Sequence, residues 1–243
     1  MKMWTFARRC AKEILRDPMN LAFGLGFPVV LLLLLSAIQA NVPVDLFRIT
    51  ELAPGISVFG LAFMSLFSAT LIARDRESAL LQRLYTTPLQ PADFILGYLL
   101  PMVPMALAQT AVCYLVAIPL GLSAAAQIPL AILVNLPMAV FNISLGLLCG
   151  SILNVKQVGG ICGALLTNLS AWLSGVWFDL DLVGGVFRDV AEVLPFVHAV
   201  ELARCAIRGD HSNLTEHLGI VVLYAVLASV GAVALFLRQM KRR

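Results

Sequence analysis

The sequence has 243 residues, of which 60% are hydrophobic and only 13% are charged, and its net charge is +3. Its mean hydropathy is +0.91, whereas soluble domains are about 45–50% apolar and about 25% charged. A chain this short cannot bury so much apolar surface in a soluble core. We therefore predict an all-α integral membrane protein with a single domain over residues 1–243.

The first element in chain order is an amphipathic segment over residues 3–17. Its apolar residues recur at helical spacing, its basic residues cover much of the remaining surface, and Pro18 ends it. This pattern predicts a helix in the membrane interface with its basic face toward anionic lipid. The alternative is a positive flank that only sets the topology. The residues assigned to the interfacial helix are Trp4, Arg8, Arg9 and Lys12.

Uncharged stretches follow, and a membrane-spanning helix needs about 20 such residues. The uncharged run from Phe94 to Val155 is too long for one helix, and prolines and a glycine near residue 120 divide it. A cleaved signal peptide is the alternative for the first stretch, but five further spans follow it without a clear cleavage site. The six predicted spans lie approximately at 20–40, 53–73, 94–118, 128–153, 157–178 and 217–237.

The basic residues predict the orientation. With six spans both termini lie on one side of the membrane, and 13 of the 17 basic residues fall on that side. They are Lys2, Arg8, Arg9, Lys12, Arg16, Arg74, Arg76, Arg83, Lys156, Arg238, Lys241, Arg242 and Arg243. The positive-inside rule places that side, with both termini, in the cytoplasm of a multi-pass inner (plasma) membrane protein. Since orientation explains the charge, we expect no nucleic-acid partner.

Two segments outside the spans carry most of the remaining charge. In the cytoplasmic loop 74–91, residues 79–84 favour a short amphipathic helix that Pro88 ends, and its apolar side rests either on lipid or in a groove of a soluble partner. In the outer segment 179–216, one short amphipathic helix precedes Pro195 and another covers 198–207. These outer helices either dip into the membrane or cap the outer mouth.

The spans themselves hold little that reacts or binds ions. No carboxylate or basic residue lies at mid-span, which argues against coupling to an ion gradient. No G-x-x-x-x-G-K-[ST] motif occurs, the cysteines form no C-x-x-C pair, and the histidines lack metal-pair spacing, so we predict no nucleotide, metal or catalytic site. Small-residue motifs predict close helix packing, either within the chain or in a dimer. Their glycines are Gly146, Gly150, Gly159 and Gly163.

Two local patterns resemble those of the ABC-2 type permeases, the membrane subunits of ABC exporters for drugs and cell-surface polysaccharides. Members tend to read Arg-Glu-x-Gly-Thr-x-x-x-Leu-x-x-x-Pro after the second span, and this chain has the matching Arg, Glu, Leu and Pro. It has Ala79 and Leu80 where Gly and Thr are usual. After the fifth span, Pro195, His198 and Arg204 resemble a second family pattern, although Asp179 stands where a proline is frequent. With the topology, the resemblance covers essentially the whole chain.

The resemblance implies a function and partners. The loop after the second span would be a coupling helix that contacts a separate ATPase subunit, which binds ATP and Mg, while this chain binds no cofactor. A second permease chain would complete a path through which a hydrophobic or amphipathic drug, lipid or glycan is exported. The implied ATPase contacts are Arg76, Glu77, Leu80, Arg83, Leu84 and Pro88, and the implied extracytoplasmic gate is Pro195, His198, Glu201 and Arg204. The alternatives are an ATP-independent secondary transporter or channel, and a membrane assembly scaffold.

Overall fold

A computed structural model describes residues 2–42, 44–78, 91–210 and 212–241, and this described part is helical, without strands. Short helical turns at Pro18–Leu21 and Asp45–Phe47 connect the first helices. The numbered helices are α1 Lys2–Arg16, α2 Ala22–Asn41, α3 Ile49–Glu77, α4 Pro91–Ala117, α5 Ala125–Ile152, α6 155–172, α7 Leu180–Val183, α8 Gly185–Val193, α9 Pro195–Arg208 and α10 Leu214–Lys241.

Five helices of the described residues are long and apolar enough to cross a membrane. They are Ala22–Asn41, Ile49–Glu77, Asp93–Ala117, Ala125–Ile152 and Leu214–Arg238. These helices correspond to five of the six predicted spans, which confirms an all-helical, multi-pass membrane protein. The stretch predicted at 157–178 is not among them.

Helix α6 occupies most of that remaining stretch, but it differs from an ordinary apolar span. It starts with a capping box between Asn154 and Gln157, continues as a π-helix over Gly159–Leu166, and ends at Trp172. Residues 173–178 form turns, in which Gly175 has a positive φ of 67° that favours glycine. Polar residues near its start make α6 less apolar than the five candidate spans. The wide π turn makes it less regular than the predicted helix.

Helix α3 forms the centre of the bundle. In the apolar stretch of α3 that could span a membrane, 89% of the residues are buried, against 22% in α2 and 28% in α10. A helix that is buried all round must be surrounded by other helices, whereas α2 and α10 keep wide apolar faces open. Within the described part of the chain, α2, α4, α5, α6 and α9 pack against α3, whereas α1 packs mainly on α4 and α10 on α5 and α9.

A close helix contact joins the second half of α3 to α5. A Cβ atom added to Gly146 would lie 2.8 Å from the Cα of Ser65, and one added to Gly150 would lie 2.8 Å from the Cα of Ala69. Real Cβ atoms do not approach backbone so closely, so only glycine permits this packing. A Cβ atom added to Gly163 would lie an ordinary 3.4 Å from the side chain of Leu66 on α3, and one added to Gly159 would meet nothing within 4 Å.

Helix α9 packs into the bundle against α3, α5 and α10. The ring of Phe196 lies 6.0 Å from that of Phe141, and the hydroxyl of Tyr224 donates a 2.8 Å hydrogen bond to the carbonyl of Val193. Phe141 and Tyr224 lie away from the ends of α5 and α10. Because they contact Phe196 and Val193, the start of α9 lies inside the bundle. Helices α8 and α9 correspond to the two amphipathic helices predicted between residues 179 and 216.

Candidate functional site

One end of α3 carries a buried carboxylate bound by two neighbouring helices. The side chain of Asp75 is 2% exposed, and Arg9 of α1 binds both of its oxygens at 2.6 Å. The hydroxyl of Tyr98 on α4 donates a third hydrogen bond of 2.7 Å to Oδ2. Glu13, one turn further along α1, pairs with the same Arg9 at 2.7 Å. These four residues, Arg9, Glu13, Asp75 and Tyr98, are called the Asp75 cluster below.

Helical periodicity explains why these side chains meet. Asp75 follows Leu71 and Ile72 at spacings of four and three residues, so it shares their buried face of α3. On α1, the buried Phe6 packs edge-on against Tyr98 with ring centroids 5.0 Å apart. The apolar face of α1 therefore lies on α4, and this contact brings Arg9 to the carboxylate.

The environment of the Asp75 cluster shifts the pKa values of Arg9 and of the adjacent Cys10. Burial lowers the pKa of Arg9, but the hydrogen bonds and the charge of Asp75 outweigh it, so the pKa rises above its ordinary value. Burial raises the pKa of the neighbouring Cys10 thiol to about 12. A thiol that stays protonated at neutral pH is a poor nucleophile, so Cys10 acts as a packing residue.

The next two residues of α3 bind two further helices. Arg76 donates hydrogen bonds to the carbonyls of Gly150 at 2.7 Å and Leu153 at 3.1 Å, which would otherwise be unpaired at the end of α5. The carboxylate of Glu77 accepts a 3.0 Å hydrogen bond from the amide of Val155, at the start of α6. Residues 75–77 thus attach the end of α3 to α1, α4, α5 and α6.

The predicted contact residues divide between described and undescribed parts of the chain. Arg76 and Glu77 lie at this junction, whereas the predicted contacts Leu80, Arg83, Leu84 and Pro88 lie outside the described residues. On α1, the four residues predicted for the interfacial helix differ in exposure. Trp4, Arg8 and Lys12 are exposed, but Arg9 turns inward to Asp75 and not toward lipid.

The opposite end of α3 carries a second charge group, Glu51 with Arg204 and Arg208 of α9. Arg204 lies 3.3 Å from the Glu51 carboxylate, and Arg208 donates to Glu51 at 2.9 Å. Arg204 also pairs with Glu201 at 2.7 Å and reaches the carbonyl of Gly175 at 3.3 Å. These residues are called the Glu51 cluster below. Hydrogen bonding to Glu51 raises the pKa of Arg208 above its ordinary value.

The other predicted gate residues lie at the start of α9. Pro195 is the first residue of the helix and is buried. His198 Nε2 lies 2.7 Å from the carbonyl of Glu192, and because a carbonyl only accepts, that nitrogen carries the hydrogen. In the neutral ring Nδ1 is then an acceptor, and His217 of α10 must donate to it across 2.9 Å. The four predicted gate residues thus all lie on α9, with contacts to α3, α8 and α10.

Polar groups inside the bundle join helices. Ser57 of α3 accepts a 3.1 Å hydrogen bond from the side chain of Asn135 on α5, and its carbonyl accepts one of 3.3 Å from Gln109 on α4. The hydroxyl of Tyr114 lies 3.4 Å from that of Ser57. Three helices therefore share one buried polar contact, which adds directional specificity to apolar packing.

Several of these residues escaped the sequence interpretation. Asp75 lies in the Arg-Asp-Arg-Glu run at the start of the predicted cytoplasmic loop 74–91, although its spacing from Leu71 and Ile72 indicates a buried face. Tyr98 and Glu51 carried no local signal, because their partners are 23 residues or more away in the sequence. Long-range ion pairs of this kind cannot be read from periodicity.

The described residues hold no group of three side chains suited to a metal ion. What the fold and the two clusters define is a polytopic helical membrane protein whose central helix is held at both ends by ion pairs. Its comparison with known proteins gives the class: the profile of the ABC-2 type transporter family matches residues 1–207.

The chain belongs to the ABC-2 type transporter family and is a membrane permease. Permeases of this family pair with ABC ATPase subunits, on which the ATPase activity resides. Over 72 residues the chain is also 31% identical to nodulation protein J of Rhizobium leguminosarum bv. viciae. That match covers 29% of this chain and 28% of the relative, so the chain matches well under two thirds of that protein's length.

Proposed function

We propose that this permease exports a hydrophobic or amphipathic substrate, of drug, lipid or glycan type, by alternating access driven by a separate ATPase. The observation that carries the proposal is the junction at residues 75–77. It lies immediately before segment 79–90 and binds four other helices. A force applied to that segment therefore reaches the whole bundle.

The proposed ATPase contact is the segment from Arg76 to Pro88. Arg76 and Glu77 are already engaged with the ends of α5 and α6, so we assign them to transmission within the permease. Leu80, Arg83, Leu84 and Pro88 remain for the ATPase itself. An amphipathic segment with leucines on one side suits a groove on a soluble partner.

We propose six membrane crossings, with α6 as the fifth, in a single transmembrane domain. The contacts of α6 support this, since its first residue, Val155, binds Glu77 at one end of α3. Just beyond its last turn, the ring of Trp177 packs 5.7 Å from that of Phe59 in the first half of α3. With six crossings both termini and segment 79–90 lie in the cytoplasm, as the basic residues favour.

We propose that the Glu51 cluster and the start of α9 form the extracytoplasmic gate. Under the proposed orientation they lie at the outer ends of the helices. Arg204 bridges α3, α9 and the turn at Gly175, so separation of these elements requires its contacts to break. The acceptors Glu51 and Glu201 are partly open to water, which lowers the cost of such a separation.

A second permease chain completes the proposed transporter. The open apolar faces of α2 and α6 support such a partner, because Gly159 and Gly160 leave a flat surface beside the exposed Ile161. Small residues permit close helix approach in a membrane. The spans offer apolar surface with scattered amides and hydroxyls and no mid-span charge, which suits an amphipathic cargo better than a highly charged one.

The coupling assignment is tested by co-purification with an ABC ATPase encoded beside this gene. Leu84→Glu places a charge on the apolar side of segment 79–90, and Leu84→Met is the matched conservative control. We expect Leu84→Glu to abolish co-purification and permease-stimulated ATP hydrolysis in lipid nanodiscs, while Leu84→Met retains both. Full complex formation and full stimulation by Leu84→Glu would show that the ATPase binds elsewhere.

A further inference from the structure

An uncompensated row of basic side chains runs along α1. Arg8, Lys12 and Arg16 are spaced by four residues, so they line one face of the helix, and all three are exposed. Within the described part of the chain they make no ion pair. The neighbouring acids are engaged, since Glu13 pairs with Arg9 at 2.7 Å and Asp17 with Arg74 at 3.1 Å.

These three cations line an open cavity of about 880 Å³ between α1 and the end of α3. Its wall also contains two ion pairs, Arg9 with Glu13 and Arg74 with Asp17. Three unpaired positive charges around one cavity attract an anion with several acceptor oxygens, such as a phosphate group.

A second cavity, of about 520 Å³, adjoins the first and shares Thr5 and Arg8 with it. Its wall is mostly apolar and includes Trp4, Leu100 and Pro101, from α1 and α4. Leu100 lies seven residues beyond Asp93, about 10 Å along α4 from the end of that candidate span. The apolar cavity therefore lies beside a candidate span, while the charged cavity lies beside the end of α1 and the end of α3.

We propose that these two cavities form one binding site for an anionic phospholipid. The phosphate group lies over Arg8, Lys12 and Arg16, and the start of an acyl chain covers Trp4, Leu100 and Pro101. A soluble anion would leave the apolar half uncovered, whereas a phospholipid has the same head-to-tail order as the paired cavities. The bound lipid holds the exposed face of α1, beside the face that Asp75 and Tyr98 hold.

Trp4 provides a probe at this site. The changes Trp172→Phe and Trp177→Phe leave Trp4 as the fluorescent residue. Its fluorescence is measured in two kinds of vesicle, one with brominated phosphatidylglycerol and plain phosphatidylcholine, the other with plain phosphatidylglycerol and brominated phosphatidylcholine. Because attraction to an anionic headgroup grows with each nearby cation, we expect quenching to favour phosphatidylglycerol by at least about threefold. The preference should shrink at high salt. Equal quenching by both lipids would overturn the proposal.

Charge variants test which residues bind the headgroup. The combined change of Arg8, Lys12 and Arg16 to Gln should bring the preference to about one, and Lys12→Gln alone should give an intermediate value. A matched Arg238→Gln variant removes a basic residue at the end of α10 and should keep the preference. Loss in the Arg238→Gln protein, or no loss in the triple variant, would place the lipid elsewhere.

Competition separates a lipid from a soluble anion. Inorganic phosphate should weaken the preference no more than sodium chloride of equal ionic strength, because it cannot occupy the apolar cavity. A stronger effect of phosphate would identify a site for soluble phosphate compounds and contradict the lipid assignment. None of these measurements involves the ATPase or transport, so their failure leaves the proposed export function untouched.

Discussion

The two ends of α3 are both held by a carboxylate and arginines, but in different ways. Asp75 is 2% exposed and receives hydrogen bonds from α1 and α4, two separate helices. Glu51 is 18% exposed, and both of its arginines come from the single helix α9. One end is therefore a buried junction of several helices, while the other is a more hydrated contact with one helix.

This difference determines which helices must move before each end of α3 loses its ion pairs. Movement of α9 alone would break the contacts of Glu51, and water would replace part of the lost pair with Arg208, which is 46% exposed. The Asp75 end opens only if α1 and α4 both leave α3, which exposes a buried carboxylate without partners. The molecule thus combines a firm end with a releasable one on the same helix, an arrangement suited to transmitting motion.

The largest effect is expected from Asp75→Asn. The change removes the buried carboxylate that binds Arg9, and because Arg9 is 37% exposed and keeps Glu13, the expected cost is about 3 kcal/mol, the low end for breaking a buried pair. Helix α1 should detach from α4. The midpoint of thermal unfolding in detergent should fall clearly. Cys10, which is fully buried in the unaltered protein, should react with maleimide, as measured by mass spectrometry.

Glu13→Gln is the matched control for that variant. It removes the other acid that pairs with Arg9 but leaves Asp75 and Tyr98 in place. We expect Cys10 to stay protected and the unfolding midpoint to change little. If Cys10 is as slow to react in Asp75→Asn as in the unaltered protein, the junction does not hold α1.

An intermediate effect is expected from Gly150→Ala, which acts next to the same junction. The added methyl group would lie 2.8 Å from the Cα of Ala69, so α3 and α5 must separate at a cost of about 2 kcal/mol. Gly219→Ala in α10 is the control, because nothing lies within 4 Å of its added methyl group. Thermal unfolding of the two variants gives the comparison, and equal midpoints would refute the close packing.

The smallest effects are expected at the Glu51 end. Arg204 is 8% exposed and Arg208 is 46% exposed, although both bind Glu51. Arg204→Gln should cost about 1 kcal/mol, since Glu51 keeps Arg208 as a partner, and Arg208→Gln should cost about 0.5 kcal/mol or less. The order of the unfolding midpoints checks this, and a larger loss for Arg208→Gln would reverse the assigned roles.

The sequence was informative where local pattern determines structure. Apolar runs predicted α2, α3, α4, α5 and α10, because membrane solvent demands long uncharged helices. Proline positions predicted the division of the outer segment at Pro195, where α9 begins. The family resemblance, carried by the Arg76 and Glu77 motif and the topology, agrees with the family match over residues 1–207.

The sequence was less informative where distant residues determine structure. Helix α6 combines Lys156, Gln157 and a π turn, so its apolar pattern predicted an ordinary span that runs past its true end at Trp172. The inward turn of Arg9 depends on Asp75, 66 residues away, and periodicity on α1 alone placed it with its exposed neighbours. Such pairs are properties of the packed bundle.

The attachment of Glu77 to Val155 has a further consequence for how the molecule deforms. Residues 75–77 connect α3 to four other helices. A force applied at Ser78 is therefore distributed among these helices and does not bend one of them alone. Strain then concentrates where a helix is already irregular. In α6 that place is the π-helical segment Gly159–Leu166, because helices commonly kink at π turns.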